Sequence, residues 1–206
     1  MIASAEARLG RNMALVSAIT LVVATFIPLF LIGADGGNEY NPTWGPLNNI
    51  VAFLHHITAV FMTVSLIKLF GADDKPVFRT MSMMMIVVGT VWTLGDLAPT
   101  AAAQNVWGAA IPPTRVGHIT QLFNFGGFLL LPIWFWTVLD ADGGELMPRY
   151  AVITGRAVAI LFIVLQALSF FVLNNPAIVF WVWLVAGLIL WPVSLFGVSR
   201  AFAKKI

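Results

Sequence analysis

Residues 48–70 read NNIVAFLHHITAVFMTVSLIKLF: past the two asparagines, the only strongly polar side chains in the run are His55, His56 and, near its end, Lys68. At 1.5 Å rise per residue a helix of this length covers the hydrocarbon core of a bilayer, about 30 Å thick. Backbone N–H and C=O groups find no water there, so a spanning segment must be a helix or a strand of a closed barrel, and only the helix predicts long unbroken apolar runs.

Comparable runs occur near 13–33, 79–101, 117–139, 151–173 and 177–199. Together they predict an all-α, polytopic bundle of six transmembrane helices, forming a single transmembrane domain over residues 1–206. The connections are short, leaving room for outer loops at about 34–47 and 102–116 but not for a second soluble domain. Composition agrees. Hydrophobic residues make up 60% of the chain and charged residues 10%, against roughly 25% charged in soluble domains.

The basic residues set the orientation. Arg8 and Arg11 precede the first run; Lys68, Lys75 and Arg79 flank the second connection; Arg149 and Arg156 flank the fourth; Arg200, Lys204 and Lys205 close the chain. Only Arg115 falls on the opposite side. The positive-inside rule therefore places both termini in the cytoplasm of a cell membrane, with the lipid bilayer as immediate surroundings. Basic residues beside span ends form no nucleic-acid patch. A membrane-protein partner or a second copy of the chain stays open. Trp44 and Trp107 fall in outer connections, Trp181 and Trp183 near the outer end of the last run, and Trp134 and Trp136 near the inner end of the fourth. They read as an interfacial belt, with Trp92 alone well inside.

Ionisable and amide side chains within membrane spans are costly and tend to face the bundle interior. His55 and His56 lie about 10 Å below the outer end of the second run. Asp96 sits about one turn from the outer end of the third. His118, Gln121 and Asn124 follow in the outer turns of the fourth, and Gln166 in the outer part of the fifth. Steps of 100° put Ala52, His55, Thr58, Ala59, Met62, Thr63 and Ser65 on one arc of the second helix, and Phe53, Ile57, Val60, Phe61 and Val64 on the other. In the third, Ser82, Gly89, Thr93, Asp96 and Thr100 share a face. The expectation is an outer-half pocket in which His55 meets Asp96, with His56 of lesser weight and Asn124, Gln121 and Gln166 as further contacts.

Such a pocket suits binding or transport of a small polar solute or ion, since histidine and carboxylate exchange protons near neutral pH. Three alternatives carry weight. A b-type haem held by His55 or His56 and by His118, with Arg115 on its propionates, would make an electron-transfer protein. His55, Asp96 and His118 match metal-ligand chemistry and so a metal-dependent membrane enzyme, although H-E-x-x-H and G-x-S-x-G are both missing and enzyme function is the lesser expectation. The polar faces also suit an accessory or assembly subunit of a membrane complex, because small and polar residues are what membrane helices use to pack. Asn175-Pro176-Ala177 reads as a turn opening the sixth helix, and Asp140 to Glu145 as a flexible turn without calcium-loop spacing.

Overall fold

A computed structural model of the chain describes residues 2–32, 41–105, 112–171 and 176–206. It is all-helical among those residues, and the helices form six rods. The first is α1 (Ser4–Phe26) running on as a π-helical segment, Ile27–Ile32. The second is α2 (Gly45–Leu69), joined by a 3-10 turn, Ala72–Asp74, to the third, α3 (Pro76–Asp96) with its continuation α4 (Ala98–Ala103). Then come α5 (Pro113–Asp142) and α6 (Arg149–Phe171). The sixth rod is α7 (Pro176–Val182), a π-helical segment Trp183–Leu190, and α8 (Trp191–Ala203). Among the described residues, five stretches are long and apolar enough to cross a membrane by length and composition: Ser4–Ile32, Gly45–Leu69, Pro76–Ala103, Arg149–Ala167 and Ala177–Ala203. The first begins nine residues ahead of the apolar run at 13–33, because Ser4 to Asn12 extend the helix into the end region.

Each rod packs on its sequence neighbour, and α8 returns to α1, so the rods form a closed ring in chain order. Both termini lie at one end. There Lys68 pairs with Glu6, Lys75 Nζ donates to the Ala141 carbonyl at 2.6 Å, and Lys204 Nζ donates to that of Glu145 at 3.3 Å. Close approach depends on small residues, as expected where lipid removes the hydrophobic incentive for helices to associate. Gly197 of α8 sits on Ala151 of α6, Gly155 of α6 on Ser194 of α8, and Gly10 of α1 on the ring of Phe202. Ser194 Oγ also donates to the Ala151 carbonyl at 3.0 Å.

The turn at residues 140–145 is not the loose connection expected. Asp142 is only 3% exposed and its carboxylate accepts the backbone N–H groups of Leu146 and Met147 at 2.9–3.1 Å. Gly143 and Gly144 take left-handed φ values of 60° and 78°, which only glycine adopts without strain.

Among the described residues two rods pass into π-helical register, each beside a proline, and the third is interrupted at Leu97, just before Pro99. Pro28 has no N–H for the Ala24 carbonyl, and the π-helical register opens at Ile27. Pro192 likewise gives the Leu188 carbonyl no donor. Just before it, the N–H of Trp191 bonds the Ala186 carbonyl five residues back. The π-helical segment of the sixth rod meets the first rod at Thr25, two residues ahead of Ile27, where a Cβ on Gly187 would come within 2.9 Å of the threonine methyl.

Candidate functional site

The α2 arc expected to face inward is the one that is buried: His55, Thr58, Met62, Thr63 and Ser65 line the packed side, while Phe61 and Val64 are exposed. Val60 departs from its lipid assignment and packs toward Gly89 of α3. On α3 the buried face includes Ser82, Gly89 and Thr93, with Met85 and Trp92 beside them.

Within a ring of rods, two consecutive residues about 100° apart face two different neighbours. His55 faces α1. Its Nδ1 lies 3.0 Å from the Ser17 carbonyl and 3.1 Å from Ser17 Oγ. A carbonyl only accepts, so Nδ1 carries the proton and Nε2 of the neutral ring is left as an acceptor. His56 faces α3, where its Nδ1 is 2.7 Å from Asp96 Oδ2; the two side chains are 18% and 11% exposed. The expected pairing of His55 with Asp96 is therefore corrected: His56 is the partner. Depth along the helix allowed either histidine, and the position of α3 on the His56 side decides between them. Above this pair, toward the end opposite the termini, Asn49 Nδ2 donates to Thr100 Oγ1 at 2.8 Å.

Inside the ring lies a cavity of about 160 Å³. It is bounded at Ser17 to Thr25 of α1, Ala52 to Thr63 of α2, Met85 to Trp92 of α3, Phe128 to Trp134 of α5 and Trp183 to Leu195 of the sixth rod. These stretches are the middles of their rods, so the cavity sits at mid-height rather than in the outer half. Below it Leu66, Leu69, Phe70, Phe78, Val138 and Val198 pack into a closed apolar plug.

Aromatic rings close a circuit around this void. From His56 the rings run to Trp92 (centroids 5.0 Å apart), Phe128 (5.2 Å) and Trp183 (5.5 Å). The circuit continues through Phe162 (5.1 Å), Trp191 (5.5 Å) and His55 (6.2 Å), and returns to His56 at 5.2 Å. Separations of 4.5–7 Å with tilted or edge-to-face planes are the favourable range for ring pairs. Every rod but the first contributes a ring; α1 closes its side with Ser17, Leu21, Ala24 and Thr25.

The belt assignment needs correction accordingly. Trp134 and Trp183 are interior, not interfacial, and Trp92 is joined inside by Trp191. Trp134 Nε1 donates to Ser82 Oγ at 3.1 Å. Trp181, 61% exposed, and Trp136, with the Arg156 guanidinium 5.5 Å over its ring, keep surface positions.

Of the other candidates, Gln166 is buried on α6 and its Oε1 has no donor among the described residues. Arg115 is exposed near the start of α5. The backbone of His118, Gln121 and Asn124 lies in α5, but their side chains fall outside the described residues. Among those described, no three His, Asp or Glu side chains gather as a metal-binding group. A porphyrin is several times larger than a void close to the benzene-holding cavities of about 150 Å³, so the haem reading finds no support in the cavity. No family model, curated protein or solved structure matches this chain.

Proposed function

We propose that this chain binds one small solute in the mid-height cavity and carries it across a cell membrane, with the end that holds both termini in the cytoplasm. The observation that carries this reading is the coincidence of the cavity with the two π-helical breaks. Thr25 and Trp183 line the void, and each lies at or within two residues of a π-helical segment. Carriers characteristically place their sites near the bilayer midplane at interrupted helices, and π-helical turns recur at functional sites.

His55 and His56 provide the polar surface of the site, and Asp96 holds His56 in place. Gln166 lies one turn from Phe162 on the side away from the termini; it borders the solute's path from the far end. The bilayer is the immediate partner, and a second copy of the chain remains compatible.

The chain has no cysteine, which permits a direct test by single-cysteine access. Ala59 lines the cavity, so Ala59→Cys should react with a small impermeant thiosulfonate reagent from either face of the membrane, as alternating access requires. A cysteine that reacts from neither face while the denatured protein reacts fully would defeat the carrier reading. Ile19→Cys, at a lipid-facing position, supplies the background rate.

A further inference from the structure

The unsatisfied polar atoms around the cavity narrow what it can hold. Trp92 and Trp191 both line it and are 5% and 6% exposed, and neither Nε1–H has an acceptor among the described residues. A buried donor left unpaired costs about 1–3 kcal/mol; both rings border the void while each Nε1 is closed off from water, so an acceptor in the void gives the two indoles reason to turn toward it. Of the other two indoles that line it, Trp134 already has its acceptor in Ser82 and Trp183 is only partly buried. His55 offers the opposite valence: with Nδ1–H directed at the Ser17 carbonyl, a neutral ring keeps Nε2 as an acceptor.

Charge decides between ligand classes. Aromatic cages attract cations to ring faces, but free indole N–H groups present positive edges, and the nearest carboxylate, Asp96, is held by His56. An anion would meet no Lys or Arg among the lining side chains, and an uncompensated charge at mid-membrane is costly. A neutral molecule with an oxygen acceptor fits both constraints. Its size follows from the volume, about 160 Å³, close to that of a cavity that takes up benzene. Its shape follows from the walls, since rings at tilted and edge-to-face angles pack best against another flat ring.

We propose that the cavity binds a neutral, planar, one-ring molecule carrying ring oxygen, a phenol or the head of a quinone, with the N–H groups of Trp92 and Trp191 donating to that oxygen. This deepens the reading of the cavity as a solute site and rests on it.

The test is calorimetric titration of the purified protein with 4-methylphenol, a short-chain benzoquinone, toluene and tetramethylammonium. At least one oxygenated ring should bind about tenfold or more tightly than toluene, the factor that 1.4 kcal/mol supplies. Preference for 4-methylphenol identifies a free phenol as the source, and preference for the benzoquinone a membrane quinone head. Trp191→Phe and Trp92→Phe keep an aromatic ring, smaller than the indole, and remove the donors. They should erase the oxygen preference, read within each variant as the ratio of oxygenated-ring to toluene affinity. The proposal is overturned if toluene binds as well as both oxygenated rings, or if tetramethylammonium binds best. Both wild-type comparisons stand even where a variant folds poorly. If none of the four binds while Ala59→Cys still shows access from both faces, the ligand class is wrong and the solute site survives. If the access test fails as well, both readings fall.

Discussion

His56 of α2 and Asp96 of α3 are joined through Nδ1 and Oδ2 at 2.7 Å, while His55, one residue earlier, turns to Ser17 of α1. The two histidines thus tie α2 to different neighbours, and only one of the ties is to a carboxylate.

Removing one partner of a largely buried pair strands the other, which costs about 3 kcal/mol or more. His56→Ala should therefore lower thermal stability in detergent more than His55→Ala does. Asp96→Asn, which keeps an acceptor, should lose less than Asp96→Ala. A double His56→Leu, Asp96→Leu variant should recover part of the loss. Equal melting temperatures for the His55→Ala and His56→Ala proteins would refute the unequal roles.

Neighbouring glycines on α5 should behave oppositely. A methyl at Gly127 would overlap the Trp92 ring, whereas one at Gly126 meets open space. Gly127→Ala should cost about 1–3 kcal/mol by overpacking and shift Trp92 fluorescence. Gly126→Ala should be neutral or gain up to about 1 kcal/mol of helix propensity. Thermal melts and emission spectra of the two proteins separate these outcomes, and similar behaviour at both positions would contradict the packing.

Asp142 closes its turn by accepting the N–H groups of Leu146 and Met147. Charge-assisted hydrogen bonds of this kind contribute about 1.5–3 kcal/mol. Asp142→Ala should lower the melting temperature and expose residues 143–147 to limited proteolysis. A resistant turn in the variant would show that packing of Met147, not the carboxylate, holds it.

Orientation is testable by cysteine labelling in intact cells. Lys205→Cys, at the end where the termini lie, should be shielded from an impermeant reagent until the membrane is opened, and Glu39→Cys should react at once. The reverse pattern would invert the proposed topology.

How far the sequence is legible depends on the residue. The rods and the inward arc of α2 follow from hydropathy and 100° periodicity, and Thr58, Met62 and Ser65 are buried where the arc places them. The partner of Asp96 does not follow, because periodicity fixes angles within one helix and not the side on which a neighbour stands. Trp183 and Trp191 are missed for a related reason. A π-helical segment carries extra residues per turn, so angles counted along the sixth rod lose phase across Trp183–Leu190. The proline that signals the break, Pro192, is visible in the sequence, but prolines are common in membrane helices and the register change is not.

The closure of the ring by α8 on α1 has a consequence for assembly. Two of the aromatic walls, Trp183 and Trp191, belong to the last rod, and Ala14 and Ser17 of the first are covered by elements made far apart in time. Membrane chains are inserted from the N-terminus onward, so the five earlier rods must wait with their polar interior unsealed until the last arrives. The cavity comes into being in that final docking step. A ribosome stalled before residue 183, or a late missense change in the sixth rod, would yield a protein inserted in the membrane and lacking its cavity, with a slot between α1 and α6 open to any helix able to fill it.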